Sequence, residues 1–287
     1  MFDFSLDAVN KSQEGLEKKA YTTDERFYVL KKDENGNGAA LVRFLPSEIY
    51  ENGQIRTVKC VYKYNVQAKT TKKFINEWAP QTIGKPDPIH DKWQQLWNEG
   101  NQDEARRFAR STRYIANIKV ISDPANKENE GKIFLLDMSK TLYERVNAFL
   151  NPPEAERVMG ATPKNLFNPL ADGYNFKLIA RVGANGFTNY DSSTPADTPS
   201  AIYASADEAV KDINENCYKL SDWDKPEAYK SYEELKALLD GLEVPAGQTS
   251  TTNSPEISAT EVAPQTAPAA QSAPAQSLDD LMASLGK

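Results

Sequence analysis

Between Ser111 and Ile121 the side chains alternate with a period of two: Thr112, Tyr114, Ala116, Ile118 and Val120 fall on one face, Ser111, Arg113, Ile115, Asn117 and Lys119 on the other. Only an extended strand divides residues in this way. One face has the composition of a core and the other that of a groove wall. A strand of this length needs partners, and Arg26–Leu30, Ala39–Leu45, Ile55–Val66, Lys73–Trp78, Gly131–Leu136 and Phe176–Val182 read as further strands, with turn chemistry at Asn35-Gly36-Asn37-Gly38. Helices are expected over His90–Phe108, Ser139–Leu150, Ala204–Leu220 and Ser231–Leu242, the last two opened by the capping boxes Ser205 with Glu208 and Ser231 with Glu234. Residues 151–172 are Pro-rich and irregular, and 183–191 form a loop. The expected fold class is mainly β with added helices, an α+β chain built on a curled antiparallel sheet.

The charges on these strands suggest a use for them. The chain has a net charge of -7, yet Arg56–Lys73 holds six Lys or Arg and no acid, and Arg106, Arg107, Arg110 and Arg113 fall within eight residues. Arginines this close repel one another unless a polyanion relieves them. In the first tract Lys59 and Lys63 oppose Val58, Cys60, Tyr62 and Tyr64; in the second Arg113 and Lys119 flank Tyr114. Cations interleaved with aromatic rings make a cleft for single-stranded nucleic acid, phosphates on the cations and bases on the rings. The candidate contacts are therefore Lys59, Tyr62, Lys63, Tyr64, Arg106, Arg107, Arg110, Arg113, Tyr114 and Lys119. For any single lysine an ordinary solvated sheet face is the alternative, and Tyr114 fits a core position as well as a stacking platform. Trp93 and Trp97, four apart on an expected helix, read as a packing stripe.

Signals for catalysis fail on inspection. The solitary His90 has no triad partners, no phosphate-cradling GxxxxGK[ST] exists, and DPANKENEG reads as a turn because Pro124 and the acidic register do not suit a calcium loop. Cys60 and Cys217 fit free thiols in a reducing compartment. No apolar run is long enough to cross a bilayer, and MFDFSLDAVNKSQEG lacks the features of a signal peptide, so a cytoplasmic location is expected. Residues 244–277 are Ala, Pro, Ser, Thr and Gln with almost no large apolar side chain, a composition that does not order. The chain then changes character: Leu278, Leu281, Met282 and Leu285 form an apolar stripe beside Asp279 and Asp280, the pattern of an acidic amphipathic peptide that docks in a partner's groove.

These residues bring a specific resemblance into view. VRFLP at Val42–Pro46, the arginine run leading into RYIANI, DPANKENEGKIF, GFTNYD at Gly186–Asp191, SYEEL and the terminal LDDL occur in the order found in the single-stranded-DNA-binding, helix-destabilising proteins of T-even-like bacteriophages, which the chain resembles from about residue 25 to 242 and again at its tip. The resemblance implies an OB-fold core over 25–243, an N-terminal arm over 1–24 for cooperative self-association along DNA, and a tail over 244–287 that recruits replication and recombination proteins. It implies no enzyme, and a role in replication, recombination and repair in the cytoplasm of the infected bacterial host. Carried over residue by residue, Arg43 takes the place of a cleft arginine, Arg110 that of the arginine before the second strand, and Tyr114, Phe187 and Tyr190 those of aromatics at the DNA site; Leu136 stands where the family has a tyrosine.

Two departures follow from the same comparison. The family carries a structural zinc held by one His and three Cys, whereas Cys60–Trp93 offers only Cys60 and His90, so no zinc is expected and a small hydrophobic cluster around Trp78, Ile83 and Trp93 is expected to replace it. The family's short basic N-terminal motif is replaced by DFSLD. Two rival readings stay open at the level of sequence: an RNA-binding OB protein, since stacking and phosphate contacts do not distinguish the sugar, and a replisome adaptor that works mainly through Leu278–Leu285.

Overall fold

A computed structural model describes residues 24–49, 54–69, 73–183 and 186–243. The expected arm, apart from Asp24, and the expected tail with its tip at Leu278, Asp279, Asp280, Leu281 and Leu285 lie outside the described residues. The strands are β1 (Gly38–Leu45), β2 (Glu48–Ile49), β3 (Ile55–Arg56), β4 (Lys59–Lys63), β5 (Val66–Gln67), β6 (Phe74–Ile75), β7 (Ser111–Ser122), β8 (Ile133–Ser139), β9 (Phe176–Val182), β10 (Thr188–Asn189) and β11 (Thr194–Pro195). The helices are α1 (Pro88–Asn98), α2 (Gln102–Arg107), α3 (Lys140–Leu150), α4 (Glu154–Val158), α5 (Ala206–Asn216) and α6 (Tyr232–Glu243). The fold class is α+β with an antiparallel sheet, as expected.

The alternating strand of the sequence is β7, and it organises the sheet. β1 pairs with its second half (Leu45↔Asn117 to Leu41↔Ser122) and β4 with its first half (Lys63↔Ser111 to Lys59↔Ile115), so the two succeed one another along one edge. β8 takes the other edge from Arg113↔Ser139 to Lys119↔Ile133, β9 extends the sheet from β1, and β10 and β11 both pair with β9. One strand shared between two successive partners, with a bulge at Leu41/Val42, bends the sheet on itself.

One face of β7 covers the principal core as expected, Ala116, Ile118 and Val120 packing with Phe44, Phe176, Leu142 and Val146. The other face is not a groove wall along its middle. Ile115 is buried with Val61, Leu135, Leu220 and Trp223, and Asn117 is fully buried, its amide donating to the Tyr218 carbonyl at 2.9 Å and accepting from the Tyr218 amide at 3.0 Å. A polar residue in an alternating pattern reads as solvent-facing, but here both of its hydrogen bonds clip the 217–229 segment onto the sheet.

Other elements are shorter than the sequence suggests. Arg26–Leu30 is not a strand; it meets β8 through a single bridge at Phe27↔Leu135, and Ile55–Val66 breaks into β3, β4 and the start of β5. The expected helix His90–Phe108 is two helices, because Gly100 adopts φ +81° between them. Asp87 caps α1 by accepting from the amides of Ile89 (3.0 Å) and His90 (3.3 Å). Helix α5 stops at Asn216, and Leu220–Asp224 turns as a 3₁₀ segment. Both capping serines are in place, Ser205 accepting from the Glu208 amide and Ser231 from that of Glu234. A second apolar cluster joins β5 and β6 to α1, α2 and α6 through Val66, Ile75, Ile89, Leu96, Leu235 and Leu239.

Arg43, expected to line the DNA cleft, is instead 0% exposed within the fold. Its guanidinium donates to the carbonyls of Asn168 (2.6 Å), Gly173 (3.2 Å) and Ser200 (2.7 Å) and to the Asn175 side chain (3.0 Å). Burial lowers its pKa to about 10, so it stays charged at neutral pH. It gathers the irregular 165–200 region against β1, and every donor it uses there is withdrawn from DNA. The Arg43→Met variant removes the side-chain donor from the part-buried Asn168 and Ser200 carbonyls at about 1–3 kcal/mol each, the Gly173 carbonyl keeping the Ser200 amide at 2.8 Å, so a loss of at least about 2 kcal/mol is expected in urea unfolding. Gly173→Ala should be comparably damaging, since a Cβ there would stand 1.7 Å from the Asn168 oxygen and 2.5 Å from Arg43 Nη1. A loss below about 1 kcal/mol in both variants would remove Arg43 from this role.

Candidate nucleic-acid interface

The basic tracts carry their own carboxylates. Asp137 on β8 accepts from Arg113 Nε at 2.6 Å and from Lys63 Nζ at 3.3 Å, and Glu104 on α2 holds both Arg107 and, at 2.5 Å, Lys69. Asp224 holds Arg56 at 2.6 Å together with Lys59, while Arg56 also reaches Glu48 at 3.5 Å. Lys119 pairs with Asp212 at 2.8 Å and Arg106 with Asp103 at 2.6 Å. The repulsion inferred from sequence is thus relieved within the chain. At Asp137 and Glu104, however, two cations share one carboxylate, although at the first site Asp24 and Glu77 also act on Lys63. The electrostatic consequence is visible on the acids: the hydrogen bond from Lys59 holds Asp224 below its ordinary pKa, and at Glu104, where burial pushes upward, the Lys69 and Arg107 contacts prevail and lower it.

An open groove of about 1200 Å³ runs over the outer edge of β8. Tyr28, Trp78, Tyr190, Tyr218 and Trp223 contribute aromatic surface to it. Its cations are Arg26, Lys32, Lys63, Lys219, Lys225 and Lys230, set among the acids Asp24, Glu77, Asp137, Asp222 and Glu227. Of the residues expected at the interface, this groove brings together Lys63 and Tyr190, with Asp137 linking them to Arg113. Lys63 Nζ also lies 4.3 Å from the centre of the Trp78 ring. Tyr190 is half-buried, and burial raises its hydroxyl pKa. Leu136 lines the same groove but points its bulk into the core.

The other face of β4 and β7 carries a second group. Arg110 stacks its guanidinium over Tyr62 at 4.1 Å, and among the described residues no carboxylate lies within ion-pairing distance of it. Tyr114 is neither a core residue nor a bare platform: it is half-buried and lies face to face with Tyr143. Tyr64, in contrast, is fully buried, with its hydroxyl on Asp87 at 2.9 Å, and is a core residue. Phe187 is 73% exposed on the turn before β10. The expected contacts therefore do not line one cleft; they divide between the β8 groove and the Tyr62–Tyr114 face, with Arg106 and Arg107 on α2 and with Lys59 and Lys119 in ion pairs to the 212–224 region. Trp93 packs on the second cluster as expected of a stripe, while Trp97 stacks on it at 5.7 Å and His90 at 5.2 Å. Sequence gave no sign of Tyr28, Trp223 or Tyr143, because each reaches its place through tertiary packing.

Comparison with known proteins gives this surface a context. The family model described as gp32 DNA binding protein like matches residues 36–242. The chain is also similar to proteins named single-stranded DNA-binding protein from Enterobacteria phages T4 and T2, each 34% identical over 217 residues that cover 74% of this chain and 68% of the relative.

The structural zinc implied by the resemblance does not fit the residues present. In the stretch concerned, Asp87 and Tyr64 are hydrogen-bonded to each other in the interior, His90 is stacked on Trp93, and Cys60 lies exposed on β4. Among the described residues no three His, Cys, Asp or Glu side chains converge on a point where an ion could sit. Nor do the expected replacements form one cluster. Trp78 stacks with Phe27 and meets Trp223 edge-on in a separate cluster, whereas Trp93 joins α1 to the second core.

Two outcomes follow from this geometry. EDTA should leave the melting temperature unchanged, and purified protein should contain only substoichiometric zinc by atomic emission; tight stoichiometric zinc would overturn the assignment of Tyr64 and Asp87 as a hydrogen-bonded pair. His90, the one histidine in the chain, has its pKa lowered from 6.5 first by burial and then by the charge of Arg110, against the opposing pull of Asp87 and Asp91. A lowered folded pKa means that its contribution to stability is complete above about 6.5 and is lost as pH falls through the folded value. Arg110→Ala should move this pKa back toward 6.5 in an NMR titration of the imidazole protons, and an unchanged value would assign the shift to burial alone.

Proposed function

Because the chain belongs to the gp32 DNA binding protein like family, we propose that it binds single-stranded DNA without regard to sequence and carries out no covalent chemistry. Support for this reading comes above all from the sharing of one carboxylate by two cations at Asp137 and Glu104, beside aromatic rings that a base can stack on. In the free protein Asp137 holds Lys63 and Arg113 apart from one another's field. A phosphate brought to the groove takes over one of these cations, and the carboxylate retains the other, so binding exchanges partners instead of neutralising bare charge. Arg110 alone among the expected contact cations at the surface has an aromatic but no carboxylate partner among the described residues, which leaves it available to a phosphate. Phe187 before β10 and Tyr190 after it supply ring surface.

The wider reading is that the protein coats and protects DNA during phage replication, recombination and repair in the host cytoplasm. Self-association along DNA is assigned to residues 1–24, and capture of replication and recombination proteins to the acidic peptide Leu278–Leu285. Both segments are argued from sequence and resemblance.

Titration of the full-length protein with an oligo-dT strand, followed by Trp and Tyr fluorescence, tests the central claim. The affinity should fall with salt at a slope of about -0.7 in log K per phosphate neutralised, steeper than about -1.4 if at least two are engaged. Duplex DNA of the same length should bind much more weakly, and an RNA strand in competition decides the sugar preference. Arg110→Ala should weaken binding to all sequences alike. A salt-independent affinity, or equal affinity for duplex, would end the proposal.

A further inference from the structure

The Tyr114 and Tyr143 rings lie 3.8 Å apart between centroids and 8° from parallel. Aromatic side chains in a core more often meet offset or edge-to-face at about 4.5–7 Å. The closer, nearly parallel arrangement approaches the roughly 3.4 Å spacing of successive bases in a nucleic-acid strand. Neither ring is sunk in the interior: both are half-buried at the margin of the principal core.

Each ring is held in place by its own element. Tyr114 comes from β7, opposite Cys60 and Met138. Tyr143 stands in the first turns of α3, which is fixed by the Ser139 cap on the Leu142 amide (3.2 Å) and by Leu142 and Val146 in the core. The helix that packs on β7 through Leu142 and Val146 also lays the Tyr143 ring against Tyr114 of that strand. On the same sheet face, Tyr62 is the cross-strand partner of Thr112 and so lies diagonal to Tyr114, within reach of an aromatic neighbour. Arg110 covers Tyr62. Lys140, one turn before Tyr143, is exposed and paired at 3.7 Å with Glu144, a carboxylate that also bears on the Tyr114 hydroxyl.

We propose that Tyr143 is a base-stacking residue: it forms with Tyr114 a preassembled two-ring platform that takes one unpaired base of a strand whose neighbouring nucleotide meets Arg110 and Tyr62. The inference rests on the single-stranded-DNA reading and adds to it a residue from α3. Because the pair is already stacked in the free protein, neither ring has to be ordered when the base arrives, and little conformational entropy is lost on binding.

The test uses full-length protein and two oligomers of equal length, oligo-dT and an abasic strand with the same phosphodiester backbone. Tyr143→Ala should weaken oligo-dT binding by about tenfold while changing abasic binding by less than about twofold, because the stacking contribution is lost and the phosphate contacts are kept. Tyr143→Phe and Tyr143→Trp should bind oligo-dT as the unmodified protein does, which also controls for folding. If Tyr143→Ala weakens both oligomers equally, or neither, Tyr143 is a packing residue and the proposal is overturned. If the unmodified protein binds neither oligomer, the underlying single-stranded-DNA reading fails with it, a result separate from the first.

Discussion

Strand β7 is paired along both of its edges and covered on both of its faces, and the positions of the other elements follow from that. Its first half is given to β4 and its second to β1, while β8 runs along the opposite side. A strand in this situation has no freedom of register: a slip of one residue would exchange Ile118 for Lys119 on the core face. Asn117 makes the constraint stronger. Its two hydrogen bonds to the Tyr218 backbone are available in one register only, and they hold the segment whose Trp223 and Tyr218 form part of the wall of the β8 groove. The groove thus depends on a buried amide on the far side of the sheet from the principal core.

The electrostatic design is one of shared partners. Six basic residues from the two tracts meet three carboxylates, at Asp137, Glu104 and Asp224, which come from elements distant in sequence or from an adjacent turn. Each side chain keeps part of its exposure, so these contacts add little to stability individually. Their effect is on geometry: the cations are held in fixed places.

What could be read from the sequence was set by periodicity. The long strand β7, β9, and helices α3 and α6 follow apolar spacings that few other conformations satisfy. The breaks were less legible, as at Gly100, where one glycine with positive φ divides an otherwise continuous helical pattern. Of the expected contacts, Lys63 and Tyr190 line the β8 groove and Arg110 and Tyr114 share the opposite sheet face, whereas Arg43 and Tyr64 are interior residues. Composition cannot distinguish an arginine that awaits a phosphate from one that satisfies three carbonyls, because those carbonyls come from residues 168–200 and are invisible to any local pattern. Tyr64 likewise looked like a strand aromatic until Asp87, 23 positions away, received its hydroxyl.

The second apolar cluster has a temporal consequence for synthesis on the ribosome. A loop gathered by a metal ion closes on ligands near one another in the chain, whereas this cluster needs Leu235, Leu239 and Leu242 to cover Ile89, Leu96 and Phe108. Leu235 is 127 positions beyond Phe108, and at about 5–20 residues per second it emerges some 6–25 s later. For that interval α1 and α2 have an uncovered apolar face. The second cluster is therefore completed only once the last core helix has left the ribosome.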